Sequence, residues 1–292
     1  MNRPLAPIPA LRARSGPALP VARLVVGRSL EEVEALLPRL FALCRAAQGV
    51  ALQAALGRAV DPAPIAAEVL RDHLMKLFVT WPRLLGLPVH ALPEGWTEGR
   101  GVATALFGPT GTAPESAEDF AAFLRSGHGV APLLSAIDRA FGTAGAIAPL
   151  PPVTPGTIWS DRPVENASAT RQAHRPALAA LPHGPLWRAA ARAYDAESAL
   201  TGALPAVTCP VPGTAVVPAT RGSYGLRIAT EEGFVTDFAR ITPTDHMLAP
   251  GGALDLSLAA LPADRAGLAP LLLDILDPCA PVELVPTEVR HA

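Results

Sequence analysis

Asp277-Pro278-Cys279-Ala280-Pro281-Val282 follows an apolar helical pattern over about 264–276 and holds a single thiol near the end of the chain. A second stretch, Phe41-Ala42-Leu43-Cys44-Arg45-Ala46-Ala47-Gln48, holds another single thiol near the beginning. The third cysteine, Cys209, stands in Thr208-Cys209-Pro210 with no motif around it and reads as structural. Three cysteines so far apart make no disulfide framework. They fit a reducing cytoplasm, where thiols stay free for metal or for packing.

Outward from Cys44, Ser29-Leu30-Glu31-Glu32 is a capping box, with Ser29 and Glu32 placed to satisfy each other's backbone N–H groups. Val33, Leu36, Leu37, Leu40, Phe41 and Leu43 then recur at helical spacing. Pro38 should kink this run or mark a second start, with the helix continuing through Cys44 to about Gly57. A second helix is expected from Ile65 to about Thr80, ended by Pro82. Residues 86–114 read as loop. Helices are expected over 116–124 and 131–141, a Pro- and Gly-rich loop over 149–163, and further helices at about 166–181 and 186–203. Beyond these, Tyr224–Ile228 and Phe234–Ile241 flank Glu231-Glu232-Gly233 and predict a β-hairpin. The expected class is mainly α with one small hairpin or sheet (α+β), without internal repeats.

Composition narrows the function. Half of the 292 residues are hydrophobic while only 5% are aromatic, so the helices should pack closely through small side chains. Lys and Arg number 24 against 26 Asp and Glu, a net charge of −2 that offers nothing to phosphate backbones or anionic lipid. No apolar run reaches the roughly 18–20 residues of a membrane span, so neither nucleic acid nor membrane insertion is expected. Residues 1–28 start rich in proline, lack the apolar core of a signal peptide and read as a flexible leader. No phosphate loop, Gly-x-Ser-x-Gly elbow or Cys/His nucleophile pair is present. His73, His174 and His246 lack zinc-ligand spacing and read as packing or surface groups.

Together the two cysteine stretches resemble the metal-binding ends of the [NiFe]-hydrogenase large subunit. Asp277–Val282 is similar to that family's Asp-Pro-Cys-x-x-Cys, with Val282 in place of the second cysteine. Phe41–Gln48 is similar to Cys-Gly-x-Cys-x-x-x-His, with Phe41 for the first cysteine and Gln48 for the histidine. Between them, Leu70–Gly86 resembles the helix after the first motif, and Arg162–Arg171 resembles Glu-Thr-Gly-x-Leu-Ala-Arg. Arg221-Gly222, the hairpin and Thr242-Pro243-Thr244-Asp245-His246 resemble Pro-Arg-Gly, a hairpin and Val-Pro-Thr-Thr-Trp-Asn. The matches are collinear over about 30–282. The chain is therefore identified as a degenerate large-subunit-like protein of the hydrogenase expression/formation (maturation) type, HupK/HoxV.

That resemblance implies a large-subunit-like helical core in which Cys44 and Cys279 meet, hence a single domain over 29–292. The family holds nickel and iron with four thiolates; Cys44 and Cys279 supply two, so a complete binuclear centre, nickel and hydrogenase activity are not expected. What remains fits a scaffold or chaperone that holds an Fe(CN)2CO fragment for a hydrogenase large-subunit precursor, beside HypC-like and HypD-like partners. Arg221 and Thr244 correspond to residues that donate hydrogen bonds to the cyanide ligands. The family's protease trims after a histidine three positions beyond the last cysteine; Val285 stands there and His291 lies further on, so C-terminal processing is not expected. Without the resemblance, Glu165 and Arg171 read as a first-turn acid and an exposed base. Two other functional readings stay open: a metal-free docking protein, and an altered hydrogen-sensing or redox large subunit.

Overall fold

The computed structural model describes residues 11–286 except Ala18, Phe41, Ala42 and Ala144. It opens with strand β1 (Leu11–Ser15) and helices α1 (Val21–Val25) and α2 (Leu30–Leu36). Helix α2 starts at the expected capping box: the Glu32 N–H donates to Ser29 Oγ, and the Ser29 N–H donates to the Glu32 carboxylate at 3.0 Å. The helix expected to run through Cys44, whether kinked or restarted at Pro38, is interrupted before it. Pro38 lies in a 3-10 turn, Leu37–Arg39, and Cys44 is the left-handed N-cap, φ 61°, of helix α3 (Arg45–Ala55). That conformation costs an L-residue about 1–2 kcal/mol, and no α-helix can run through it.

Pro82 does not stop the next helix. Helix α4 (Ala63–Met75) passes through a π turn, Lys76–Thr80, into helix α5 (Trp81–Leu84). The Phe78 carbonyl would ordinarily accept from residue 82, which as proline has no N–H; it accepts instead from the His90 N–H at 3.0 Å. Residues 86–114 contain a 3-10 turn, Trp96–Glu98, and helix α6 (Val102–Phe107), both too short to show a period. Helices α7 (Ala117–Arg125) and α8 (Ala131–Phe141) lie where the pattern puts them, α7 behind a second capping box of Ser116 and Asp119. The helix expected over 166–181 is divided into α9 (Ser168–Gln172) and α10 (Pro176–Ala179), Pro176 opening the second piece. Helix α11 (Pro185–Leu200) follows.

Strands β2 (Thr214–Ala219), β3 (Gly222–Glu231) and β4 (Phe234–Ile241) form an antiparallel sheet in that order. The expected hairpin is β3–β4. It closes through Glu232 and Gly233, at φ 51° and 83°, the left-handed pair that matches strand twist. Strand β2 has no counterpart among the sequence expectations. Helices α12 (Pro243–Leu248), α13 (Ala253–Ala259) and α14 (Ala269–Leu276) lead to strand β5 (Val282–Pro286). Strand β5 pairs antiparallel with β1, Ser15 opposite Val282 and Leu11 opposite Pro286. The stretch 11–28, read from sequence as part of a leader, thus supplies one strand of this ribbon and a helix with Val21 and Val25 buried.

Helix α11 lies at the centre, against α4, α8, α9 and α14. Ala189, Ala190, Ala191, Ala193 and Ala196 on it are all buried, which is how an alanine-rich chain lets helices approach closely. One hydrophobic cluster runs from Val21 to Leu276. The class is mainly α with small antiparallel sheets. Among the described residues, no helix is long and apolar enough to cross a membrane.

Candidate metal centre

Three chain segments far apart in sequence converge beside the sheet. Helix α3 packs on β2 and β3, bringing Cys44 towards the link between those strands, which carries Arg221. Helix α12 begins at its own capping box, the Asp245 N–H donating to Thr242 Oγ1, and puts Thr244 in its first turn. Helix α14 ends at Asp277, left-handed at φ 59°, which turns the chain so that Cys279 comes back to α12. Together they enclose a cavity of about 250 Å³ lined by Cys44, Gln48, Arg221, Tyr224, Thr244 and Cys279. Leu40, Leu43, Arg240, Thr242 and Pro243 complete the wall. The two residues that present the thiol segments, Cys44 and Asp277, are both in a backbone region that L-residues avoid, a concentration of strain typical of binding sites.

The two thiols differ. Cys44 is buried, and burial pushes its thiol up to about 11; Arg221 pulls it down, Glu68 and Cys279 push it further up, and a hydrogen bond from Thr220 lowers it. Cys279 is half-buried and fixed by Thr244. Its backbone N–H donates to Thr244 Oγ1 at 2.9 Å, so the Thr244 hydroxyl hydrogen is free to point at Cys279 Sγ, also at 2.9 Å. Thr244 therefore holds the Cys279 segment in place, and either the hydroxyl or the thiol can be the donor between them.

Arg221 is 5% exposed and locked along one edge. Its Nε donates to the Asp277 carbonyl at 2.8 Å, and Nη2 donates to Asp277 Oδ1 at 3.2 Å. Burial opposes its charge, but Asp277 and Asp72 hold the guanidinium ionised above its ordinary value. The buried Nη1 has no hydrogen-bond partner among the described residues. Asp277 is the hub of a wider charge cluster. Arg192 Nη2 and Lys76 Nζ each lie 3.0 Å from its carboxylate. Burial raises its pKa, yet Arg192, Arg221 and Lys76 bring it down to about 2. Lys76 also bonds Asp274, which accepts from Trp81 Nε1 at 2.8 Å. None of Asp72, Lys76 and Arg192 was marked by sequence as a site residue. Arg188, Arg192 and Asp195 recur at helical spacing within an alanine-rich helix, and that buried polar stripe was the available signal.

Two expectations about ions are corrected. Glu165 is not a first-turn acid; it is 2% exposed and paired with Arg188 on α11. Arg171 is not an exposed base; its side chain is buried, pairs with Asp195 and donates to the Ala219 carbonyl at 2.9 Å. Burial works against the Asp195 charge, but Arg171 and His73 hold its carboxyl well below the usual range. His73 donates to it through Nε2 at 2.8 Å, while Nδ1 faces Arg192. These ions tie α9 and α4 to α11 and so support the site from below. His73 and His246 are packed groups, and His174 is exposed. Cys209 is exposed, with Sγ 3.6 Å from the Ala54 carbonyl. Val282 starts β5, while Phe41 and His291 lie outside the described residues.

The hydrogenase expression/formation protein HupK of Rhodobacter capsulatus is 48% identical to this chain over 278 residues, 94% of this chain and 92% of the relative. The chain belongs to this hydrogenase expression/formation protein family. The corresponding protein HoxV of Cupriavidus necator is 44% identical over 69 residues, 20% of this chain and 18% of its own. No family-wide sequence profile matches the chain. Among solved structures, the oxidized Ni-Fe-Se hydrogenase of Desulfovibrio vulgaris Hildenborough superposes with a TM-score of 0.55 at 13% identity, covering 92% of this chain and 96% of its own. The reduced form gives 0.52 at 13% identity, with 92% and 95% covered. At that identity the likeness concerns the fold, which is hydrogenase large-subunit-like. The relatives are named for hydrogenase expression and formation, and this chain shares its fold with the hydrogenase large subunit.

Chemically, the lining offers two soft sulfur donors, Cys44 and Cys279, and two cationic side chains, Arg221 and Arg240. Among the described residues, no group of three or more His, Cys, Asp and Glu side chains could hold a metal ion. A bare ion that demands four protein donors finds two thiols here. A metal that carries its own diatomic ligands needs only such a pair, with hydrogen-bond donors for the ligands' outer atoms.

Proposed function

We propose that this chain is a cytoplasmic scaffold that holds an Fe(CN)2CO fragment as cargo and yields it to a hydrogenase large-subunit precursor, in company with HypC-like and HypD-like partners. The observation that carries this reading is the buried Nη1 of Arg221, without a partner among the described residues, on a side chain that lines the cavity shared by Cys44 and Cys279. A buried donor left unpaired costs about 1–3 kcal/mol, and a cyanide nitrogen would satisfy it. Cys44 and Cys279 ligate the iron, Thr244 fixes the second sulfur, and Asp277 aims the guanidinium. Loading expels the Cys44 proton, since the thiol is protonated at neutral pH.

The test is infrared spectroscopy with iron analysis on protein purified anaerobically from a strain that makes the cyanide and carbon monoxide ligands. The expected result is cyanide and carbon monoxide bands with stoichiometric iron, lost in Cys44→Ser and weakened in Arg221→Leu. Band-free, iron-free protein that still supports hydrogenase maturation in cells overturns the scaffold and leaves a metal-free docking role.

A further inference from the structure

Gln48 is one of three side chains lining the cavity, with Arg221 and Tyr224, that carry a buried polar atom with no hydrogen-bond partner among the described residues. It sits one turn beyond Cys44 on α3, its N–H donating to the Cys44 carbonyl at 3.0 Å, so both side chains belong to the same end of that helix. It is 1% exposed, yet its buried side-chain oxygen has no hydrogen-bond partner among the described residues. Buried amides normally find partners, because leaving one dry is costly. Which end of an amide is oxygen is an assignment, and turning the group about its last torsion puts the NH2 at the buried position. Arg221 lines the same cavity from a different wall, the β2–β3 link, and one of its buried nitrogens also has no partner among the described residues. A neutral amide is a poor ligand for a soft metal beside thiolates, so its use here is towards what the metal carries.

We propose that Gln48 is a specificity-determining residue of this cavity: its amide NH2 donates to the outer atom of a second metal-bound diatomic ligand, complementing the bond made by Arg221 Nη1. The inference rests on the scaffold reading and extends it, because donors on separate walls favour a metal with more than one hydrogen-bond-accepting ligand. Gln48→Glu keeps the size and shape but replaces the donor with an acceptor; Gln48→Leu removes polarity altogether. Both variants, wild type and Arg221→Leu are purified anaerobically from the ligand-making strain and compared by infrared spectroscopy, iron content and thermal melting.

In folded Gln48→Glu and Gln48→Leu, a cyanide band should move from its wild-type position and iron occupancy at limiting cargo should fall about tenfold. Gln48→His, which restores a donor, should recover occupancy. A merely structural role would change the melting temperature without moving a cyanide band. Wild-type bands that stay in place in both Gln48 variants, while Arg221→Leu shifts them, overturn the Gln48 assignment alone. Absence of cyanide bands from the wild type overturns the scaffold reading and this inference with it.

Discussion

Cys44 should be the slowest of the three thiols to alkylate, and its rate should rise with pH far beyond the range in which ordinary thiols level off. Burial, opposed by Arg221 and reinforced by Glu68 and Cys279, puts its pKa at about 11. At pH 8 the thiolate fraction is then about 0.001, against about 0.24 for a free thiol of pKa about 8.5. Thiolate population alone makes Cys44 about two hundred times slower than glutathione towards iodoacetamide, and burial slows it further. The assay is a timed pulse of iodoacetamide from pH 7 to 10, with each cysteine-containing peptide quantified by mass spectrometry. Urea-unfolded protein is the control, in which all three should react alike. Arg221→Leu removes the neighbouring positive charge, so Cys44 should become slower still while exposed Cys209 is unchanged. The reasoning fails if folded Cys44 reacts within about tenfold of glutathione at pH 8, or if Arg221→Leu speeds it without loosening the fold.

Asp277→Asn should destabilise the protein by about 3–5 kcal/mol at pH 7, because Arg192, Arg221 and Lys76 lose a buried counter-charge. The Asp277 pKa is depressed to about 2, so its contribution is full above about pH 4 and disappears as pH falls through about 2; urea melts at pH 7 and pH 3 should show the gap between wild type and variant shrinking. Arg188→Met should cost a similar amount by stranding buried Glu165, yet leave iodoacetamide kinetics at Cys44 intact; a changed Cys44 rate would contradict the separation of these two clusters. Ser29→Ala breaks one capping box and should lower stability by about 1 kcal/mol in chemical denaturation, with no effect meaning that α2 is not held by its cap.

Local chemistry within a few residues was readable in advance. The Ser29 capping box, the spans of α7 and α8, and the β3–β4 hairpin follow from side chains that bond their own backbone or from a turn needing positive φ. The motif order also nominated Cys44, Cys279, Arg221 and Thr244, and these four do line one cavity. The helix breaks were harder. Pro82 looked like a stop because the rescue of the Phe78 carbonyl comes from His90, beyond the helix, and strand β2 forms only because β3 supplies its partners. What each site residue does was decided by the tertiary structure alone. Sequence presents Glu165 and Arg171 as ordinary surface ions, and only the packing of α11 gives them buried partners in Arg188 and Asp195. The same holds for the left-handed Cys44, the Asp277 hub and the buried Gln48 oxygen, which has no partner among the described residues. The cost of burying a charge or an amide depends on where its partner lies. Those partners sit far away along the chain, so no local pattern carries the information.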